Sequence, residues 1–256
     1  MTNYELNIGY FYPELLNLYG DRGNIQVLTR RCYWRGINAR VQEYSPAAAL
    51  PQESGSKYPD IIFMGGGPDS SQSVVAKDLQ QRAGWLKEYG RAGGVGLYIC
   101  GAYQLMGHYY QDSNGLRLPG VGLFDLYTRH FGQDKPRCIG NIRLESNLEY
   151  IPSTTTKVLV GFENHGGRTY LGPSAQPLGK VSSGFGNNGE DKTEGVIFLN
   201  SFGTYLHGPL LPKNPHFADL LIWRALKRKY PGEYLFLTAL DDTLEWQAHA
   251  AALKLR

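Results

Sequence analysis

Three strand-like segments of this chain each end on residues suited to chemistry. In VGLYICGAYQLMG, residues 95–107, an apolar run ends on Cys100 and passes at once through Gly101 and Ala102 into a helical pattern. A sharp strand-to-helix turn of this kind needs small neighbours and displays one strained side chain, as in the elbow that carries serine nucleophiles. The helix expected over residues 103–110 would aim its unpaired NH groups and positive dipole end at the sulfur, favouring thiolate. The competing reading is a structural cysteine that fills core space. In DIIFMGGGPDSS, Gly65, Gly66 and Gly67 follow a second apolar run. Consecutive glycines let backbone NH groups approach and hold an oxyanion. A phosphate loop is excluded, because no lysine follows at the required spacing and GxxxxGK[ST] occurs nowhere. Without that ATP site, energy-requiring chemistry falls to another protein. In NSFGTYLHGPLLPKNP a third strand leads into His207, which places an imidazole on the same sheet edge as Cys100 to serve as its base. His165, in GFENHGGRTYLG, is the other candidate base, and each histidine has a purely structural alternative.

The elements that must position these residues follow from periodicity. Short β-branched or aromatic runs at residues 6–11, 39–44, 60–64, 95–99, 121–127, 158–162 and 195–199 read as strands bounded by Gly and Pro. Helical patterns at 25–36, 73–89 and 215–230 alternate with them, which predicts an α/β fold with a mostly parallel sheet covered by helices. Between residues 121 and 202 the helical pattern is lost, so added strands and loops are expected there, including a polar loop at GFGNNGEDKTEG. The expected organisation is one catalytic domain over 1–230 and a helical extension over 231–256 that could dock elsewhere. In such sheets, catalytic groups collect at the carboxyl ends of the strands.

At 256 residues the chain can bury a core without staples, and a net charge of +3 with scattered Lys and Arg shows no basic stripe for nucleic acid. The three cysteines lie far apart with no CxxC spacing, which argues against a disulfide framework or a zinc site. No stretch of eighteen apolar residues and no signal-like N-terminus is present, so a cytoplasmic protein is expected.

CGAYQ resembles the C-x-G-x-Q segment of class I, triad-type glutamine amidotransferases. With NLYGDRGN, FMGGGPDSSQ, RCIGNI, GFENHGGRTYLG and FGTYLHGPLLPKNP in order, residues 5–230 are similar to the cobyric acid synthase-like branch of that family, in particular to glutaminase subunits of lipid II isoglutaminyl synthase. The resemblance implies a three-layer, flavodoxin-like fold with strands added in the second half. It implies that Cys100 attacks the carboxamide of glutamine, with Gly65, Gly66, Gly67 and the Gly101 NH as oxyanion hole and His207 as proton carrier. Gln104 would help hold the substrate, Arg137 would pair with its α-carboxylate, and Asn164 and His165 would line the pocket. No cofactor is implied for this chain. ATP and Mg would belong to a Mur-ligase-like synthetase of the MurT type, a heterodimer partner that amidates the D-glutamate α-carboxylate of lipid II and meets the membrane through that lipid-linked substrate. Two positions depart from the family pattern. Pro209 stands where most members carry a glutamate two residues after the histidine, so the third triad group would be Glu163 or a carboxylate from the partner. Ala102 replaces a usual glycine. For NLYGDRGN, helix capping by Asp21 and Asn24 stands beside a role at the partner surface. The rival readings are a cobyric or cobyrinic acid amidotransferase subunit, a DJ-1 or PfpI-like cysteine hydrolase, and a non-catalytic scaffold of the same fold.

Overall fold

The protein was analysed as a computed structural model, which describes residues 4–50, 58–132, 135–149, 156–233 and 235–255; the outermost ends of the two expected segments, residues 1–3 and 256, lie outside these. The first half alternates as the sequence predicts: β1 (Glu5–Phe11), α1 (Arg22–Tyr33), β2 (Asn38–Tyr44), β3 (Ile61–Met64), α2 (Asp69–Arg91), β4 (Val95–Ile99) and α3 (Gly101–Leu105). Every residue of β3 and β4 is buried, as a strand covered on both faces must be. Helix α1 buries Asn24, Ile25, Leu28, Arg31 and Cys32, one face at helical spacing.

The second half supplies β5 (Tyr109–Gln111), β6 (Arg117–Pro119), β7 (Leu126–His130), β8 (Cys138–Ser146), β9 (Val158–His165), β10 (Gly167–Leu171), β11 (Gly179–Ser183), β12 (Thr193–Glu194), β13 (Val196–Phe198) and β14 (Ser201–Thr204), then α4 (Pro215–Lys229) and α5 (Thr243–Ala252). The main sheet runs β13-β14-β4-β3-β1-β2, parallel except for β13 at its edge. Two four-stranded sheets, β10-β7-β5-β6 and β12-β11-β8-β9, stand beside it. The step from β1 to β2 goes one way across the main sheet and the step from β3 to β4 goes the other. Right-handed crossovers therefore put α1 and α2 on opposite faces and make the gap between β1 and β3 a switch point, the customary place for a ligand. Helix α4 joins α1 on its face, and α3 packs with α2.

Two expectations are corrected. The helix after Cys100 ends at Leu105 and does not reach Tyr110. Tyr109 belongs to β5 because it stacks on Tyr127, which in turn stacks on Tyr170, with ring centroids 5.3 and 5.5 Å apart; this cross-strand aromatic ladder outweighs local helical pattern. The strand expected at 121–127 begins only at Leu126. The residues before it fold back on α3, where the NH groups of Val121, Leu123 and Phe124 donate to the carbonyls of Leu105 and Met106. They satisfy acceptors that the end of a short helix leaves open.

The C-terminal helix α5 packs on this chain itself. Buried Arg31 forks onto Asp219 and Asp242, with Nε–Oδ1 at 2.6 Å and Nη1–Oδ1 at 2.5 Å respectively. Trp246 stacks on His216, and the His249 Nδ1–H donates to the Lys213 carbonyl at 2.7 Å.

Candidate active site

Asp21, the Gly65 to Gly67 run, Cys100 and His207 follow β1, β3, β4 and β14, which are four adjacent strands in the order β14-β4-β3-β1. Their register matches at the carboxyl end: Thr204 lies beside Ile99, Tyr98 beside Met64, and Met64 beside Phe11. Four loops therefore converge at one mouth of the sheet. Cys100 continues this alignment, its NH donating to the Thr204 carbonyl at 2.8 Å. Its backbone, at φ 49 and ψ −104, occupies the left-handed range that a residue with a Cβ avoids. Such strain persists only where the surroundings over-determine it, as at a nucleophile elbow. The neighbours explain its tolerance: a Cβ at Gly101 would meet Gln72 Nε2 at 2.9 Å. The methyl of Ala102 is accommodated in the core.

His207 is wholly buried beside the sulfur, in a bridge with Phe162 of β9. Gly66 permits the approach, since a Cβ there would lie 2.6 Å from His207 Cε1 and 3.1 Å from Cys100 Cβ. Behind the imidazole stands Asp21, with Oδ2 3.4 Å from His207 Nδ1. The same oxygen accepts the Gly66 NH at 2.7 Å. Burial by itself would push the imidazole down; the facing Cys100 and then Asp21 more than reverse this and raise it to about 10. The proton thus resides on His207 near neutrality, between a sulfur and a carboxylate. No ring nitrogen of His207 has a hydrogen bond of ordinary geometry among the described residues; catalytic contacts are often long before substrate binds.

The carboxylate that reaches His207 is therefore Asp21, where the sequence pointed to Glu163 or to a partner. Glu163 is turned elsewhere and accepts the NH groups of Phe185 at 2.6 Å and Gly186 at 2.9 Å. Pro209, in the position where a glutamate was expected, packs against Gly23 and holds the Asp21 loop close to His207. The capping roles expected of NLYGDRGN are also corrected. Neither Asp21 nor Asn24 caps α1: Asn17 Oδ1 accepts the Arg22 NH, and Asn24 Oδ1 accepts the Leu211 NH four residues past His207.

A cavity of about 260 Å³ opens over the sulfur, lined by Gly67, Gln72, Cys100, Gln104 and, at its other wall, Arg137 and Asn164. Of the three glycines, only Gly67 faces it. Gly66 is committed through its NH to Asp21 and through its carbonyl to the Leu18 NH, and Gly65 sits against the Leu16 carbonyl. The oxyanion donors the geometry offers are hence Gly67 and Gly101. The Gly67 nitrogen lies 3.3 Å from where a Gly101 Cβ would stand, and the Gly101 NH opens α3 without a partner inside the helix.

Arg137 Nε donates to Asn164 Oδ1 at 2.9 Å, and Asn164 Nδ2 donates to the Tyr19 hydroxyl. The Tyr19 ring meets His207 edge-on at 5.1 Å, so one chain of contacts joins the arginine to the imidazole. His165 also lines the cavity, but it is pinned as a wall: its ring stacks on Tyr205 at 3.6 Å, its Nδ1–H donates to the Gly167 carbonyl, and burial pushes it down toward the neutral form. It stands beside Glu163 and not beside Cys100. Gln104 and Gln72 meet at the cavity floor. Among the described residues no group of three or more His, Cys, Asp or Glu is placed to hold a metal, and no helix is long and apolar enough to cross a membrane.

Sequence reasoning missed Asp21, Tyr19 and Gln72. The signal for Asp21 was its place: an acidic residue among glycines in the loop after β1, the same sheet edge already assigned to Cys100 and His207.

Comparison with known proteins identifies the fold and the family. Solved glutamine amidotransferase structures share the fold, one at TM-score 0.55 with 11% identity over 85% of this chain and 98% of that one, and another from Thermotoga maritima at TM-score 0.52 with 12% identity over 96% and 93%. The chain is 40% identical, over 94% of its length and 88% of the relative's, to the protein of Streptococcus pneumoniae named lipid II isoglutaminyl synthase (glutamine-hydrolyzing) subunit GatD. It is 42% identical, over 88% and 86%, to the protein of the same name in Staphylococcus aureus. A cobyric acid synthase of Clostridium botulinum is 29% identical, with only 37% of its length covered. The family model for the CobB/CobQ-like glutamine amidotransferase domain matches residues 7–215. By that match and by the two close relatives, this chain belongs to the CobB/CobQ-like glutamine amidotransferases.

Proposed function

We propose that the protein hydrolyses L-glutamine to glutamate and ammonia and serves as the glutaminase subunit of a lipid II isoglutaminyl synthase. The observation that carries this reading is the strained Cys100 facing a His207 that holds its proton against Asp21. The sulfur attacks the carboxamide carbon, and the resulting oxyanion lies within reach of the Gly67 and Gly101 NH groups. His207 gives its proton to the departing nitrogen, the C–N bond breaks, and ammonia leaves a glutamyl thioester. His207 then takes a proton from water as that water attacks, and the returning sulfur releases glutamate. Arg137 supports recognition of the α-carboxylate with its planar donor fork. Its Nε is held by Asn164, which fixes the fork at the far wall of the cavity.

Both close relatives are named as subunits, so the ammonia has a consumer. We assign that role to a Mur-ligase-like, ATP- and Mg-dependent synthetase of the MurT type, bound as a heterodimer, which amidates the D-glutamate α-carboxylate of lipid II at the membrane surface. Copurification with that synthetase, followed by ammonia release from glutamine, tests the assignment. Cys100→Ser should abolish glutamine-dependent amidation and leave amidation with added ammonium intact. Equal amidation with glutamine before and after the substitution would make the chain a scaffold and refute the reading.

A further inference from the structure

Gln72 lies on the first turns of α2, only 3% exposed, at the floor of the cavity. Its Nε2 donates to the Gln104 Oε1 at 3.2 Å and to the Gly67 carbonyl at 3.4 Å. The Gly67 carbonyl can only accept, and this settles which end of the amide is nitrogen. The Gln72 Oε1 is consequently an acceptor, and it has no partner among the described residues. Gln104 turns its own Nε2 to the Tyr205 hydroxyl at 3.1 Å, which continues to Thr169 at 2.6 Å and from there to Thr128. A buried acceptor left open at the wall of a cavity is costly unless a ligand fills it.

We infer that Gln72 Oε1 accepts an N–H of the substrate carboxamide and makes Gln72 the residue that tells glutamine from glutamate. The inference rests on the glutaminase reading above. The Gln72 amide lies against Gly101, with Cδ 3.3 Å and Nε2 2.9 Å from the position of a Gly101 Cβ, so it stands beside the nucleophile and not at the Arg137 wall. The part of the substrate that comes to Cys100 is the carboxamide. Its oxygen turns to the Gly67 and Gly101 NH groups, which leaves its NH2 in need of acceptors. Glutamate offers only oxygens there, so acceptor would face acceptor. The product is thereby disfavoured in the pocket where the substrate is held, and its release is promoted. Gln104, to which the sequence assigned the substrate, becomes the group that orients Gln72.

The test is calorimetric titration of glutamine and glutamate into the full chain carrying Cys100→Ser, which prevents turnover, alone and with Gln72→Met or Gln72→Leu added. With Gln72→Met, glutamine affinity should fall about tenfold or more and glutamate affinity should stay within about twofold. Gln72→Leu removes the same acceptor with a differently shaped side chain, so it should lose the preference for glutamine in the same way. Equal losses for both ligands, or no change for either, would overturn the inference. Should Gln72→Met not fold, Gln72→Leu decides: retention of the preference for glutamine overturns the inference, and its loss supports it. If the Cys100→Ser chain binds neither ligand, with or without the copurified partner, the glutaminase reading itself fails. That outcome is distinct from unaltered selectivity in the Gln72 variants.

Discussion

Replacing Asp21 by Asn isolates one contribution to catalysis, the negative charge behind His207. The Oδ2 of Asp21 serves both the Gly66 NH at 2.7 Å and His207 Nδ1 at 3.4 Å, whereas Oδ1 has no partner among the described residues. An asparagine can put its oxygen at the shared position and its NH2 at the open one, so both contacts survive in neutral form. At 3.4 Å the gross attraction between full charges in an effective dielectric of about 20 is about 5 kcal/mol, which sets a ceiling. The net difference between a charge-assisted and a neutral hydrogen bond is smaller, about 1–2 kcal/mol. Asp21→Asn should therefore lower kcat for glutamine roughly 5- to 30-fold with little change in KM. Asp21→Ala also strands the Gly66 NH and the imidazole, adding about 1–3 kcal/mol and bringing the loss to roughly 30- to 5000-fold.

The pH profile separates charge from packing. His207 is raised to about 10 against its ordinary 6.5, so the protonated pair is favourable below about 6.5 and is lost as pH rises through about 10. Removing the Asp21 charge takes away one of the two groups that raise it. The alkaline limb of kcat should then move to lower pH. An Asp21→Asn enzyme within about twofold of wild type, with its alkaline limb unmoved, would refute the assignment. A shifted limb in Glu163→Gln would point back to the group named by the sequence.

Gly66→Ala should reduce glutamine hydrolysis at least about 100-fold while the protein remains folded by circular dichroism, because a methyl 2.6 Å from His207 Cε1 must drive the ring from the sulfur. Arg31→Met leaves the buried carboxylate of Asp219 short of one of its two arginines and frees Asp242, so urea denaturation should show a loss of about 3–5 kcal/mol and proteolysis should cut before α5. His216 is pushed down to about 4 by burial and by neighbouring His249. Its neutral form therefore contributes stability above the unfolded value near 6.5 that is lost as pH falls toward about 4, up to about 3 kcal/mol, and denaturation at stepped pH should show a shallower slope in His216→Phe.

Strands β3 and β4 were legible because they are covered on both faces and announce themselves as apolar runs; β4 matches residue for residue, and β3 differs by one. The two inner strands of one added sheet were not, since β8 and β11 alternate buried and exposed positions with Gly, Ser and charges among them. Cys100, His207 and Arg137 could be placed because each stands at the exit of a readable run or in a quoted motif. The pairing of Asp21 with His207 spans the whole domain and depends on β1 and β14 lying in one sheet with only β4 and β3 between them, an order no local pattern encodes. Its sequence neighbourhood, rich in glycine and asparagine, resembles an ordinary helix start. Gln72 was hidden for a related reason. A glutamine on the first turns of a helix is unremarkable until the cavity shows that one of its atoms has nothing to bind.

The replacement of the expected glutamate by Pro209 follows from the sheet order. A carboxylate two residues after His207 would approach the imidazole from its own loop. Here that loop carries a proline that packs on Gly23, and Asn24 accepts the Leu211 NH, so the loop after β14 is bolted to the chain just beyond Asp21. The carboxylate then comes from β1, the strand beyond β3, and Gly66 lies between the two loops with its NH on the same oxygen. This couples the Asp21 carboxylate to the position of the glycine run, whose next residue, Gly67, supplies an oxyanion donor. The proton on His207 and the oxyanion site are thereby set by one carboxylate. For that reason a substitution at Asp21 should weaken proton transfer and oxyanion binding together, and double variants of Asp21 and Gly66 should be less than additive in their effect on kcat.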